Sequence, residues 1–316
     1  MKKTLISLAV LSTLSASAIA SVNVYQDETM SLNIGGRAHT QVDVFDGKTV
    51  ADNYARLNFS GESALNEDVK GFFFLEKQFN FNDSDAQDTN RDMYVGIDTN
   101  YGAVKAGFFD SALNQITDFT DIQMIGGAKA SQKLDGDRED NSIGYSIDKY
   151  DFSFDAKVKL EDYDYEERHD AGNKSVSTSV VYSGIKHVTF GAGYAFDDLH
   201  KQYQLASGAT FGDLYLGALY SIIDVELSKG TWTNTGYELA AAYTFDKLKF
   251  TYSYNNLDVE QVPLFGNNPP KENPNKENHT FDVTYSMTKN FKVFAGVDID
   301  QIREINHFIG GGRFDF

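Results

Sequence analysis

The sequence predicts an all-β fold: a transmembrane antiparallel β-barrel of about sixteen strands. Three observations carry that prediction. Apolar residues recur with a period of two along nearly the whole chain after residue 20. The breaks between these runs come in two alternating kinds, short and long, as the turns at one end of a barrel and the loops at the other do. All four prolines, Pro263, Pro269, Pro270 and Pro274, fall in one candidate loop. Proline removes a ladder hydrogen bond that lipid cannot replace, so this confinement suits one continuous ladder.

The elements follow in chain order. "MKK" is a basic start, "TLISLAVLSTLSASAIA" a short apolar run, and Ala18-Ile19-Ala20 a small-x-small cleavage site before Ser21. Residues 1–20 read as a secretory signal peptide, too short and too weakly flanked for a retained anchor. Residues 21–316 read as a single barrel domain. The formal net charge of −18 becomes −20 once Lys2 and Lys3 are removed, and there is no cysteine. An exported chain without disulfides draws its stability from a large core or a closed sheet. Beyond the signal, the longest nearly unbroken apolar run is "YLGALYSII" from Tyr215. A membrane helix needs about twenty residues, whereas a barrel strand needs only about 9–11 of alternating character. Helical spanning is excluded and strand spanning is not.

In "SLNIGGRAHTQVDV", Leu32, Ile34, Gly36, Ala38, Thr40, Val42 and Val44 share one side, and Asn33, Gly35, Arg37, His39, Gln41 and Asp43 the other. "NYARLNFSGE" sets Ala55, Leu57, Phe59 and Gly61 against Tyr54, Arg56, Asn58, Ser60 and Glu62. "DFSFDAKVKLE", "ELAAAYTF", "LKFTYSY", "TFDVTYS" and "FKVFAGVDI" repeat the pattern. Short breaks lie near Asn66, Asn100, Lys149, Gly184, Gly212, Lys247 and Lys289. Longer polar breaks are expected over Gly47–Asp52, Phe81–Asn90, Phe109–Gly136, Asp162–Gly172, Asp197–Gln202, Asp224–Asn234, Asn256–Asn278 and Asp300–Asn306. In the final "HFIGGGRFDF", Phe308, Gly310, Gly312, Phe314 and Phe316 share the apolar face.

Four pieces in order resemble a known family: "NYARLNFSGESALNEDVKGFFFLEKQFN", "NRDMYVGIDTNYGAVKAGFFDSAL", "TDFTDIQMIGG" and "DREDNSIGYSI". Together they are similar to the second to fifth strands, third loop and following strand of the general-diffusion porins of Gram-negative outer membranes. The likeness spans the chain and is motif-dense over residues 30–160. It implies a trimeric sixteen-stranded porin whose third loop folds into the barrel and faces a basic wall. By matching motif, that wall is Arg37, Arg56, Arg91 and Arg138. Parity independently turns Arg37, Arg56 and Arg138 to the polar face. Arg91 shares parity with Met93, Val95 and Ile97, which suits a strand end where alternation has not begun.

The acidic side departs from the family pattern. Members commonly carry "PEFGG" at the loop tip, whereas this chain has "QMIGG", with Gln123 and Met124 in place of Pro and Glu. The remaining candidates are Asp110, Asp118 and Asp121, with Glu62 and Glu76 from the wall. Lys129 and Lys133 add positive charge to the loop. The resemblance further implies passive diffusion of small hydrophilic solutes and ions in a Gram-negative outer membrane. Contact with membrane lipid and lipopolysaccharide follows, with a homotrimer formed through the early strands. Phe316 is then the terminal signal to the barrel assembly machinery. The acid excess predicts a mild cation preference.

Neither cofactor, metal nor nucleic acid is expected. "DSDAQDTNRD" and "DGDRED" cluster carboxylates without calcium-loop spacing, so they read as solvated loops bridged to lipopolysaccharide. Three rival functions stay open. A barrel enzyme needs a preorganised nucleophile or activated water, yet His39, His169, His187, His200, His279 and His307 are scattered. A substrate-specific channel, for a sugar for example, could use Tyr54, Phe72 and Phe74 as a track. A structural or adhesive barrel would conduct nothing.

Overall fold

The computed structural model describes residues 21–82, 86–131, 138–161, 163–164, 169–170, 174–227, 230–260 and 275–316. The signal segment and the four prolines lie outside them. An N-terminal strand, Ser21–Gln26, precedes β1 (Met30–Phe45), β2 (Lys48–Ala64), β3 (Val69–Asn80), β4 (Thr89–Thr99) and β5 (Gly102–Asp110). A four-residue helix α1 (Asn114–Thr117) follows, then β6 (Arg138–Lys149), β7 (Phe152–Lys159), β8 (Ser175–Ile185), β9 (Val188–Phe196) and β10 (His200–Phe211). The chain continues with β11 (Leu214–Leu227), β12 (Gly230–Phe245), β13 (Leu248–Val259), β14 (Lys276–Ser286), β15 (Phe291–Asp300) and β16 (Ile305–Asp315). Each strand pairs antiparallel with the next, and β16 pairs with β1, so these sixteen strands close into a barrel. Closure leaves no sheet edge, the condition for a sheet in lipid.

The seam is shared by both chain ends. β16 covers β1 from Val44 down to Arg37, and the N-terminal strand covers it from Gly35 to Ser31. Between them Gly36 and Phe316 exchange backbone hydrogen bonds: the Gly36 N–H donates to the Phe316 carbonyl at 2.8 Å, and the reverse bond is 3.0 Å. Gly36 is required there, since an added Cβ would lie 2.5 Å from the Phe316 ring. The Asp27 carboxylate in the turn before β1 accepts the Tyr25 hydroxyl and the Thr29 and Met30 amides, which holds its pKa down at about 2.

Alternation sorts side chains inside out relative to a soluble protein. In β14, Asn278, Thr280, Asp282 and Thr284 are buried towards the lumen, while Phe281, Val283 and Tyr285 are exposed outwards. β8 does the same with Ser175, Ser177 and Ser179 against Val180. A charge on the outward face therefore meets lipid. Ile143→Arg on β6 is expected to cost roughly 2–4 kcal/mol if the residue sits at the bilayer midplane. Urea titration of folding into vesicles measures it, and an unchanged midpoint would contradict this placement.

Several of the longer breaks expected from sequence are tight. β1 and β2 join through Asp46 and Gly47, both at positive φ (47° and 69°), the geometry of a type I′ hairpin. β9 and β10 are separated only by Asp197–Leu199, and β15 and β16 only by Gln301–Glu304. Backbone pairing needs no apolar side chains, so the strands continue through polar residues beyond the alternating band. Polarity alone had marked those residues as loop.

A candidate pore constriction

The segment after β5 lies against the inner wall. Leu113, Ile116 and Phe119 are buried, and Ile116 and Phe119 pack with Ala206 of β10 and Leu219 of β11. Small residues make room for them. A Cβ on Gly217 would lie 2.0 Å from the Phe119 carbonyl oxygen, and one on Gly236 would lie 2.2 Å from that of Ala130. Gly191 and Gly193 of β9 similarly receive Ile116 and Leu113.

Polar contacts hold the rest of the segment. The fully buried Glu238 accepts the Ala130 and Ser131 amides at 2.8 and 2.7 Å, and also the Thr120 hydroxyl. Asp282 accepts the Met124 amide at 3.1 Å, and Asn255 the Lys129 amide at 3.1 Å. Lys129 pairs with Asp298, and Lys249 donates to the Ile122 carbonyl at 2.8 Å. Wall carboxylates thus take up backbone donors of a segment with little regular structure of its own. Sequence reasoning passed over Glu238 and Asp282. Their signal was a carboxylate on the polar face of "ELAAAYTF" and "TFDVTYS".

The opposite wall carries all four predicted arginines on its inner face. Arg37 and Arg56 stand directly opposite in the β1–β2 ladder. Like charges so placed repel, and each turns to a separate partner. Arg37 Nε is 2.9 Å from Asp315 Oδ1, whereas Arg56 Nε donates to the Gln78 amide oxygen at 2.8 Å. The Arg56 guanidinium also lies 5.0 Å from the centre of the Tyr54 ring, a cation–π distance.

Arg91 Nε is 2.6 Å from Glu76 Oε1, and Arg138 bridges Asp110 (2.8 Å) and Asp92 (3.2 Å). The parity conflict at Arg91 has a local cause. The register between β3 and β4 slips there: Glu76 pairs with Asp92 and Lys77 with Asn90, leaving Arg91 as an extra residue. Such a bulge lets consecutive residues face the same side, so Arg91 and the buried Asp92 both turn inward while Met93 stays 64 % exposed.

The acidic candidates separate. Glu76 and Asp110 join the arginine wall. Glu62 does not: it lies near the short-turn end, exposed, 3.6 Å from Lys70. Asp118 is exposed just after α1, and Asp121 Oδ1 accepts the Ala128 amide at 3.2 Å. Lys133 lies outside the described residues. Asp92, Gln78 and Asp315 are partners that the motif comparison did not supply. Asp315 also lies 2.8 Å from Arg313 and 3.4 Å from Lys292, making a cationic cluster around one carboxylate. Above it His39 stacks between Tyr54 and Phe294 at 4.6 and 5.4 Å. Phe72 and Phe74 contact Tyr94 on the same inner wall.

The family model described as Gram-negative porin matches residues 7–301. "Outer membrane protein U" of Vibrio parahaemolyticus is 33% identical, covering 96% of this chain and 90% of that one. Among solved structures, Salmonella typhi OmpF in complex with daunomycin superposes with a TM-score of 0.79 at 16% identity, covering 93% of this chain and 100% of that one. The in-vitro folded OmpT of Vibrio cholerae in its trimer form gives 0.71 at 12% identity, covering 92% and 100%.

Proposed function

We propose, from the premise that this chain belongs to the Gram-negative porin family, that small hydrophilic solutes and ions pass between its inward-packed segment and the arginine wall. The protein is an outer-membrane porin, a diffusion channel and not an enzyme. The finer reading rests on one observation. Arg37, Arg91 and Arg138 are each matched by wall carboxylates, while the hydrogen bond of Arg56 goes to a neutral amide. Arg56 is therefore the one of these four arginines whose direct side-chain hydrogen bond is to an uncharged group. The segment opposite is held by Glu238, Asp282 and Asp298. Charges facing each other across a narrow gap with poorly polarisable walls order water and favour dipolar solutes.

The usual loop-tip carboxylate is replaced here by Met124, whose amide is held by Asp282. The overall acid excess enriches cations at the mouths and the arginine wall opposes it, so the net preference is mild and cationic. Reversal potentials in a salt gradient test this, and clear anion selectivity would overturn the preference while leaving diffusion intact.

Cleavage after Ala20, recognition of Phe316 by the assembly machinery, contact with lipopolysaccharide, and trimerisation through the early strands complete the reading. The trimer form of OmpT supports the last of these. A solute-specific channel is the second reading, carried by the inner rings of Tyr54, Phe72 and Phe74. Saturable block of current by one sugar would favour it.

A further inference from the structure

The outer wall carries a hollow that permeation does not use. It lies across β7 to β12 on the lipid-facing side, with a volume of about 590 Å³. Phe152, Tyr182, Phe190, Leu205 and Tyr237 form its rim, and Ala192, Ser207 and Ala218 its floor. The ladder places these small residues together: Ala192 pairs with Leu205, Phe190 with Ser207, and Ser207 with Ala218. Gly184 helps to keep the space open. A Cβ there would lie 2.3 Å from the Tyr182 hydroxyl, so the Tyr182 ring lies along its strand towards the turn.

The depth of the hollow selects its occupant. Ala209 pairs with Val188, the first residue of β9, and Thr210 donates to the His187 carbonyl at 2.9 Å. Ser207 is two residues further from the turn, roughly 7 Å at the usual strand rise. Half of the hydrocarbon layer is about 15 Å, so the floor lies within the leaflet on the short-turn, periplasmic side. Of the adjoining turns, Lys186 and His187 join β8 to β9 with no carboxylate between them, while Lys149 at the end of β6 is flanked by Asp148 and Asp151 and Asp213 lies in the β10–β11 turn. The His187 ring stacks on the outward Phe211 at 5.9 Å, on the lipid side of the rim. Lipopolysaccharide occupies the opposite leaflet, at the long-loop end.

We propose that this hollow binds one acyl chain of a periplasmic-leaflet glycerophospholipid, whose phosphate is held by Lys149 and Lys186. The inference rests on the outer-membrane placement but not on the pore reading. The site lies away from β1 to β5, the face assigned to trimerisation, so a second copy is not its occupant. The test uses the full-length protein in mild detergent, offered phosphatidylglycerol or lipid A and followed by native mass spectrometry. Wild type is expected to retain phosphatidylglycerol and not lipid A. Ser207→Phe with Ala218→Phe fills the floor, and losing the burial of about two methylenes lowers occupancy about tenfold. Lys149→Glu with Lys186→Glu lowers it for phosphatidylglycerol without filling the floor. Single-channel conductance, read separately, stays at the wild-type value in both variants and reports an intact barrel. Equal lipid retention in the filled variant, preferential retention of lipid A, or a changed oligomeric state on filling would each overturn the proposal.

Discussion

Replacing Ile116 and Phe119 together with Ala releases the inward segment, and single-channel conductance rises with a noisier open state. Both side chains are buried against Ala206 and Leu219, an apolar patch on an inner face that also carries many buried polar side chains. In a packed core, Ile→Ala costs about 2–5 kcal/mol and Phe→Ala about 3–5 kcal/mol. The hydrogen-bonded ladder closes without those contacts, so the loss falls on the segment and spares the barrel. Glu238→Gln is a graded companion. It keeps the shape but weakens the acceptor of two backbone amides and the Thr120 hydroxyl, and charge-assisted bonds contribute about 1.5–3 kcal/mol each. Planar-bilayer recordings decide the matter. Wild-type conductance and noise in the double variant would show that the segment neither narrows the pore nor depends on its apolar anchor.

Arg56→Ala is expected to shift the reversal potential towards cations and to speed uptake of larger solutes, with little change in stability. Its guanidinium is bound to a neutral amide and a tyrosine face, so no buried carboxylate is stranded when it goes. Arg138→Ala differs in kind. It leaves Asp92 and Asp110 without that cation in a site where their side chains are 10 % and 12 % exposed. Breaking a buried pair costs about 3–5 kcal/mol when fully desolvated, so a loss of about 2 kcal/mol is expected at this partly wet site. Thermal unfolding in detergent separates the two effects. If both variants left conductance and selectivity untouched, the narrow point would lie away from this wall.

Particular residues show how far the sequence could be read. Period-two alternation placed Arg37 and Arg56 on the inner face without any structural knowledge, because side-chain direction in a strand is a strict parity. Between Arg138 and Ser142 the register shifts and parity does not carry through. The same rule failed at Arg91, where one extra residue in the β4 register reverses parity. A bulge leaves no compositional mark in "NRDMYVG". Strand ends were also misjudged over residues 48–52, 200–202 and 305–306, which were expected in loops and remain paired.

The sequence by itself determined the closed sixteen-strand sheet, the face on which each strand meets lipid, and the inward direction of most wall charges. These properties are local, written in alternation and turn residues. Only the tertiary structure decided which charges neutralise one another. Asp315 reaches Arg37 across 278 positions of chain, and Glu238 finds the Ala130 amide across 108. Such partners are fixed by ladder register around a closed ring and by where the inward segment rests, and neither is written in the residues beside them.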